Sequence, residues 1–365
     1  MMDKDIITSK QIISMMITLI AGSTLLISGA SEAKQDTWIS ILLGMVMVLP
    51  MILVYVRIVK LYPNKNLFDI IEEVLGKIIG KIINLLFVWY FFYLGALVIR
   101  NITEFIQIVS FPETPQFFVA FFIGVLIIYT VRCGVEVLGR LIEFVLPFII
   151  LTVFITVFLS IPKMDIKDLK PVLYNGWKPI LKSAFILFSS LFTDTVVFIA
   201  LFGFLDQKKS SPNKIYFSGL FIGTALMLLV IFRNILNLGI PNISHLYYPS
   251  YAAVSVISLG EFLQRIEVFI SLTLFIIGYV KLSICSFATS IGIAKLFNLD
   301  DYREIVAPLT LLMLYLSFIL YDNAMEMFEF VNYNAYYKLL FQVVLPLIIW
   351  IVAEIKTQSS KSKII

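Results

Sequence analysis

Apolar residues run through this chain in long blocks separated by short polar intervals. The blocks lack the strict alternation of apolar and polar positions that a barrel strand requires. Each comes close to the roughly 20 apolar residues that a helix needs to cross a bilayer. Ten blocks predict ten transmembrane helices, over 11–31, 38–59, 82–109, 116–131, 141–161, 180–205, 215–236, 265–296, 305–321 and 335–353. The third and eighth are long enough to tilt strongly or to protrude. Two intervals show helical periodicity of their own. Within 66–79, Leu67, Ile70, Ile71, Val74, Leu75, Ile78 and Ile79 fall on one face, and Asp69, Glu72, Glu73 and Lys77 on the other. That pattern predicts an amphipathic helix lying on the inner membrane surface. The interval 249–263 predicts a short outer helix that caps the bundle. Pro50, Pro147 and Pro346 predict kinks.

Composition sharpens the class. Sixty percent of the 365 residues are hydrophobic and 14% are charged, against about 25% charged in an ordinary soluble domain. These values exclude a soluble enzyme, a nucleic-acid-binding protein and a disordered chain. The positions of the charges then set orientation. With the N-terminus inside, the cytoplasmic segments hold most of the Lys and Arg, among them Lys4, Lys10, Arg57, Lys60, Lys65, Arg132, Arg140, Lys208, Lys209, Lys295, Arg303 and Lys356. The positive-inside rule therefore puts both termini in the cytoplasm. Lys4 and Lys10 precede an apolar stretch that ends in small residues, as in a cleavable signal, but many spans follow, and the stretch reads as a retained first helix. The chain reads as one transmembrane domain, 1–365, with repeats over about 9–161 and 178–355 and a short cytoplasmic tail, 356–365.

The chemistry expected of such a chain lies where a span breaks its own apolar rule. The first span contains Gly22, Ser23 and Thr24, then Ser28 and Gly29. Small residues of this kind weaken a helix and let another backbone or a ligand come close, or pack helix on helix. The sixth span carries the run Ser189, Ser190, Leu191, Phe192, Thr193, Asp194, Thr195. A carboxylate at that depth is costly unless paired or hydrated, so Asp194 is a functional candidate. The two interruptions stand five spans apart. This is the signature of an inverted repeat with a broken helix leading each half, and such folds aim half-helix ends at a midplane site. Exposed N–H groups there favour a carboxylate, and Asp194 would receive an ammonium. A zwitterionic amino acid satisfies both.

Other charges at depth are Arg100 and Glu104, four residues apart, and Lys281 beside Ser283 and Ser286. The first two form an i,i+4 pair. Lys281 either stands in for a bound cation, pairs with a carboxylate of another helix, or snorkels to an edge. Glu136, Arg140 and Glu143 suggest an inner-gate network or a solvated surface. Cys133 and Cys285 read as packed thiols, and the single histidine, His245, as an interfacial residue. No nucleophile elbow, phosphate loop, dinucleotide fingerprint or metal-ligand cluster occurs. No catalytic activity, cofactor or metal is expected.

Several stretches, in order along nearly the whole chain, carry a family resemblance: SEAKQDTWIS at 31–40, FPETP at 111–115, GVEVLGRLIE at 134–143, LKPVLYNGWKP at 169–179, YPSY at 248–251 and DYR at 301–303. The chain resembles the B-type subunit of the nutrient germinant receptors of endospore-forming bacteria, the spore germination permeases of the amino acid–polyamine–organocation superfamily. The resemblance implies an all-α fold of ten spans, a 5+5 inverted repeat of the leucine-transporter type with discontinuous first and sixth helices. It implies a place in the spore inner membrane, an A-type membrane subunit and a C-type lipoprotein as partners, and a small germinant, often an amino acid, whose binding helps release ions and start germination. Carried over by position, it implies a ligand site of Gly22, Ser23, Thr24, Tyr93, Leu97, Phe192, Thr193, Asp194, Ser283 and Ser286. Lys281, Arg100, Glu104, Glu136 and Arg140 are the candidates for coupling or gating. This chain departs from the family's pattern by having Asp194 where members often carry a glutamate. The alternative function is a proton- or sodium-coupled secondary amino acid transporter, and a third is a scaffold with a vestigial site.

Overall fold

A computed structural model describes residues 6–27, 32–206, 211–256 and 266–362. Among them the secondary structure is helical, apart from one isolated bridge between Ile7 and Leu205. The main helices are α1 (Ser9–Ile27), α2 (Thr37–Leu61), α3 (Leu67–Leu75), α4 (Lys77–Val109), α5 (Gln116–Arg132), α6 (Val135–Ser160), α7 (Trp177–Leu187), α8 (Phe198–Leu201), α9 (Pro212–Ile243), α10 (Pro249–Ser255), α11 (Glu267–Phe297), α12 (Val306–Ser317), α13 (Ala324–Leu339) and α14 (Leu345–Ser362). Among the described residues, seven helical stretches are long and apolar enough to cross a membrane, and three shorter apolar helices, within α1, α5 and α12, complete the ten expected. The outward faces of α5 and α6 explain the apolar excess. Phe117, Phe121, Phe122, Phe144, Phe148, Phe154 and Phe158 are all exposed, an arrangement that suits lipid and would be a liability in water.

Local chemistry sets the ends of the elements. Asn66 caps α3 by accepting a hydrogen bond from the Asp69 amide (3.0 Å), a standard N-cap arrangement. Gly76 then adopts φ +80°, a conformation that side-chain-bearing residues avoid. The single amphipathic helix expected over 66–79 is therefore divided: α3 ends at Leu75, and Ile78 and Ile79 belong to α4. In α9 the chain leaves helical geometry at Gly239 (φ +70°), just before Pro241. The tail expected over 356–365 is helical as far as Ser362, as a continuation of α14. The expected capping helix exists as α10, and 257–265 lie outside the described residues.

Two of the stretches that carry the family resemblance lock together at the face opposite the N-terminus. The Asp36 carboxylate accepts from the Leu173 amide (3.1 Å), and the Gln35 amide donates to the Pro171 carbonyl (2.9 Å). The Ala33 amide donates to Ser183 and the Ser40 hydroxyl to the Ile180 carbonyl. These bonds fix the start of α2 beside the start of α7. Below them, α2 and α7 come close at Gly44, where a Cβ would stand 3.2 Å from the Ala184 carbonyl oxygen.

The sixth span is interrupted, as expected. After α7 it runs through a π turn, Phe188–Phe192, and a 3₁₀ turn, Thr193–Val197, before the short α8. The first span differs from expectation. Helix α1 continues through Gly22, Ser23 and Thr24 to Ile27, so no break occurs at these residues, and 28–31 lie outside the described residues. A second interruption, missed in the sequence, lies in the tenth span. A π turn, Leu340–Val344, joins α13 to α14. π turns inside α-helices are frequently found at functional sites; this one packs against the 3₁₀ turn of the sixth span, through Thr193 and Gln342.

Candidate functional site

The interruptions of the sixth and tenth spans meet at Asp194, a fully buried residue of the 3₁₀ turn. Four side chains donate to its carboxylate. Lys281 of α11 reaches Oδ2 at 2.8 Å. Lys338 of α13 reaches Oδ1 at 3.2 Å. The Tyr90 hydroxyl of α4 and the Gln342 amide join Oδ1 at 3.0 and 2.8 Å. Gln342 ties the surroundings together. Its Nε2 also donates to Tyr90 (2.8 Å), its Oε1 accepts from the Thr193 hydroxyl (2.7 Å), and its carbonyl accepts from Tyr55. The Tyr90 ring stacks on Phe341 with centroids 4.8 Å apart. A buried carboxylate is tolerable only with such complete hydrogen bonding and a paired cation. Here two lysines share it, so the cluster Asp194, Lys281, Lys338 holds one more basic side chain than acidic.

Beside this cluster lies a cavity with about 80 Å³ of room for water-sized molecules. A single water needs only roughly 10–15 Å³ on this measure, so the space suits a small organic molecule. Gly22 of α1, Leu94, Leu97, Val98 and Asn101 of α4, Ser190, Leu274 to Lys281 of α11, Tyr321, and the α13 face from Met327 to Lys338 surround it. Both lysines line the cavity and Asp194 does not. Among the described residues the Ser190 hydroxyl is buried without a hydrogen-bond partner and also lines the cavity. Leaving such a group unpaired costs about 1–3 kcal/mol, which a ligand or water in the cavity would offset.

The residues expected at a ligand site separate into groups. Gly22 and Leu97 line the cavity. Tyr93 stands behind it, donating to Asn334, a lining residue (3.0 Å). The backbones of Ser23 and Thr24 follow Gly22 in α1. Thr193 and Asp194 form the polar layer beneath the lysines. Phe192 is fully buried, with its ring against α2 at Gly44. Ser283 donates to the Tyr279 carbonyl of its own helix (2.8 Å), and Ser286 meets Thr310 of α12 (3.4 Å). Neither lines the cavity.

Of the gating candidates, Lys281 is in the cluster. Arg100 and Glu104 pair at 3.2 Å near the face opposite the N-terminus. Gln116 bridges them, donating to Glu104 at 3.0 Å and accepting from Arg100. The Arg100 guanidinium also lies 5.1 Å from the centroid of the Tyr321 ring. That ring is part of the cavity wall. Glu136 and Arg140 form an exposed pair on α6, and Lys10 reaches Glu143 at 3.2 Å nearby.

Four residues of the polar layer and its surroundings escaped the sequence reading: Lys338, Gln342, Tyr90 and Arg233. Lys338 and Gln342 are one helical turn apart in an apolar span, and that i,i+4 spacing was the available signal. Arg233 of α9 is fully buried. Its guanidinium donates to Asn234 (2.8 Å), to Thr156 of α6 (2.9 Å) and to the Ser250 carbonyl of α10 (3.3 Å). It pins the capping helix to the bundle.

Comparison with known proteins agrees with this architecture. The sequence model of a family described as "Spore germination protein" matches residues 6–326. Spore germination protein KB of Bacillus subtilis (strain 168) is 32% identical, covering 99% of this chain and 98% of its own length. Spore germination protein A2 of the same organism is 27% identical over 93% of each. Among solved structures, the nucleobase-cation-symport-1 family transporter Mhp1, closed with bromovinylhydantoin bound, aligns with a TM-score of 0.67 at 11% identity, covering 92% of this chain and 76% of its own. MhsT in complex with L-phenylalanine aligns with a TM-score of 0.65, also at 11% identity, over 96% and 89%. The fold is of the leucine-transporter type, and the protein is an integral membrane protein.

Proposed function

Because the chain belongs to the spore germination protein family, we propose that it is the nutrient-sensing membrane subunit of a germinant receptor. It holds a small germinant, an amino acid in the first instance, in the cavity between α1, α4, α11 and α13. In this reading it sits in the spore inner membrane with both termini in the cytoplasm, beside an A-type membrane subunit and a C-type lipoprotein. Occupancy of the cavity helps the complex release ions.

The observation that carries the reading is a small cavity at the interrupted sixth helix, lined by both lysines of the cluster and by the buried Ser190 hydroxyl, which has no hydrogen-bond partner among the described residues. Ligand contact there acts on three elements at once, because Lys281 and Lys338 tie α11 and α13 to Asp194. A ligand that competes for those ammoniums changes how the helices are held. That differential contact is what any ligand-driven conformational change requires.

The test is a cavity-filling substitution in spores. Leu97→Trp is expected to abolish germination to the receptor's nutrient while protein levels in the spore membrane stay normal. A normal nutrient response in that variant, or in a strain lacking the gene, overturns the reading. The transporter-type fold also favours a second reading, a proton- or sodium-coupled amino acid transporter. Counterflow of a labelled amino acid in proteoliposomes, above that of empty vesicles, would establish turnover.

A further inference from the structure

We infer that the cavity selects its ligand by a carboxylate group, with the Lys281 and Lys338 ammoniums and the Ser190 hydroxyl as the groups that bind it. This rests on the receptor reading above and names the ligand's chemical class. The charges decide it. Two lysines share one buried carboxylate, so the cluster holds one more basic side chain than acidic. Among the described acids nearby, Glu104 is occupied by Arg100 and Gln116, and Asp322, Glu326 and Glu329, beside the lining residues Tyr321, Met327 and Phe330, are exposed.

Position points the same way. Asp194 lies behind the lysines and its two oxygens together accept four donors. An ammonium entering the cavity would meet two cations before it met that carboxylate. In a low-dielectric interior such a like-charge approach is unfavourable unless the ligand also brings a carboxylate to the lysines. A neutral sugar would leave the additional lysine without an acid and would face the apolar side chains of Leu94, Leu97, Val98, Leu274, Ile277 and Met327. A small carboxylate with an apolar body fits both. Its carboxylate gives the cluster a second acid, and Ser190 gains the partner it lacks. The Asp194 role expected from sequence, receipt of a ligand's ammonium, gives way to a role as the internal competitor that holds the lysines until the ligand arrives.

The experiment uses the full chain purified in detergent, with binding followed by titration calorimetry and thermal shift. The probes are propionate, L-alanine, L-alaninamide and glucose. Propionate and L-alanine are expected to bind. L-Alaninamide, which lacks the carboxylate, and glucose are expected to show no binding at tenfold higher concentration. Lys338→Gln and Lys281→Gln should each weaken carboxylate binding by about tenfold or more, the equivalent of roughly 1.4 kcal/mol. Asp194→Asn should tighten it by a similar factor, because the lysines lose their competitor. A misfolded variant cannot produce that gain.

Unchanged or weaker carboxylate affinity in Asp194→Asn would overturn the inference, as would unchanged affinity in both lysine variants. Binding of glucose or L-alaninamide as tight as that of propionate would overturn it while leaving the receptor reading intact. Absence of binding by all four probes would also overturn it, and the Leu97→Trp spore phenotype would still judge the receptor reading separately.

Discussion

Gln342→Leu removes the amide that joins the tenth span to the 3₁₀ turn of the sixth without changing the charge count. Three side-chain hydrogen bonds disappear: Nε2 to Asp194 and to Tyr90, and Thr193 to Oε1. None of the three partners is stranded. Asp194 keeps Tyr90, Lys281 and Lys338, Tyr90 still donates to Asp194, and Thr193 still donates to the Phe188 carbonyl at 2.8 Å. The cost is thus that of lost bonds rather than of orphaned groups, about 2–4 kcal/mol with the charge-assisted bond counted as the largest. At about 2.1 cal/mol/K of unfolding entropy per residue, this chain's length makes that a fall of roughly 3–5 °C in melting temperature. The assay is thermal unfolding of the purified protein in detergent without ligand, followed by intrinsic fluorescence. A fall of under about 1 °C would refute the reasoning, because bonds of this kind at full burial are not silent. The companion variant Gln342→Glu sharpens the case. It sets a second carboxylate against the Asp194 oxygen to which Gln342 now donates, a like-charge contact, so its melting temperature should fall at least as far as that of Gln342→Leu.

Other outcomes follow from other parts of the structure. Gly22→Ala would put a Cβ 1.7 Å from Cγ2 of Ile277, an overpacking that typically costs about 1–3 kcal/mol; the double variant with Ile277→Ala should recover most of the lost melting temperature. Arg233→Met should leave the core assembled but release α10, seen as faster amide exchange across 249–255 and little change in α4. Glu354→Gln breaks the exposed pair with Arg57 and should change stability by no more than about 1 kcal/mol, measured in the same thermal assay.

Element existence was legible because a membrane span is a one-dimensional signal: ten apolar blocks became ten helical stretches among the described residues, most with ends moved by a few residues. Boundaries moved where one residue's backbone decided the matter, as at Gly76, whose positive φ divides what periodicity alone reads as one helix. The break in the sixth span was legible because its polar run has no other use in an apolar helix. The run of small residues at Gly22 to Thr24 looked similar but serves a different end. It brings α1 against α11 at Ile277 while α1 remains helical. Small residues report close approach, and close approach has two causes that composition does not separate. The serines at 283 and 286 show the same ambiguity in α11. A helix has several faces, and theirs turned to the helix's own backbone and to α12.

The sign of the site was the part a sequence could not give. Asp194 stood out as a carboxylate in a hydrophobic span, and a lone carboxylate implies a cationic visitor. Lys281 is 87 residues away and Lys338 is 144 away, so their meeting on one carboxylate is a product of tertiary structure. Lys338 in particular lies close to the predicted start of the tenth span, where a lysine reads as a snorkelling anchor. The helix in fact begins at Ala324, about three turns earlier by the ~3.6 residues of each turn, which carries Lys338 to the depth of Asp194. One displaced helix start therefore converts an interfacial charge into a buried one, adds a second cation to the cluster, and reverses the charge the cavity presents. Buried charges in a membrane protein have to be summed after folding, since each alone suggests a partner of the wrong sign.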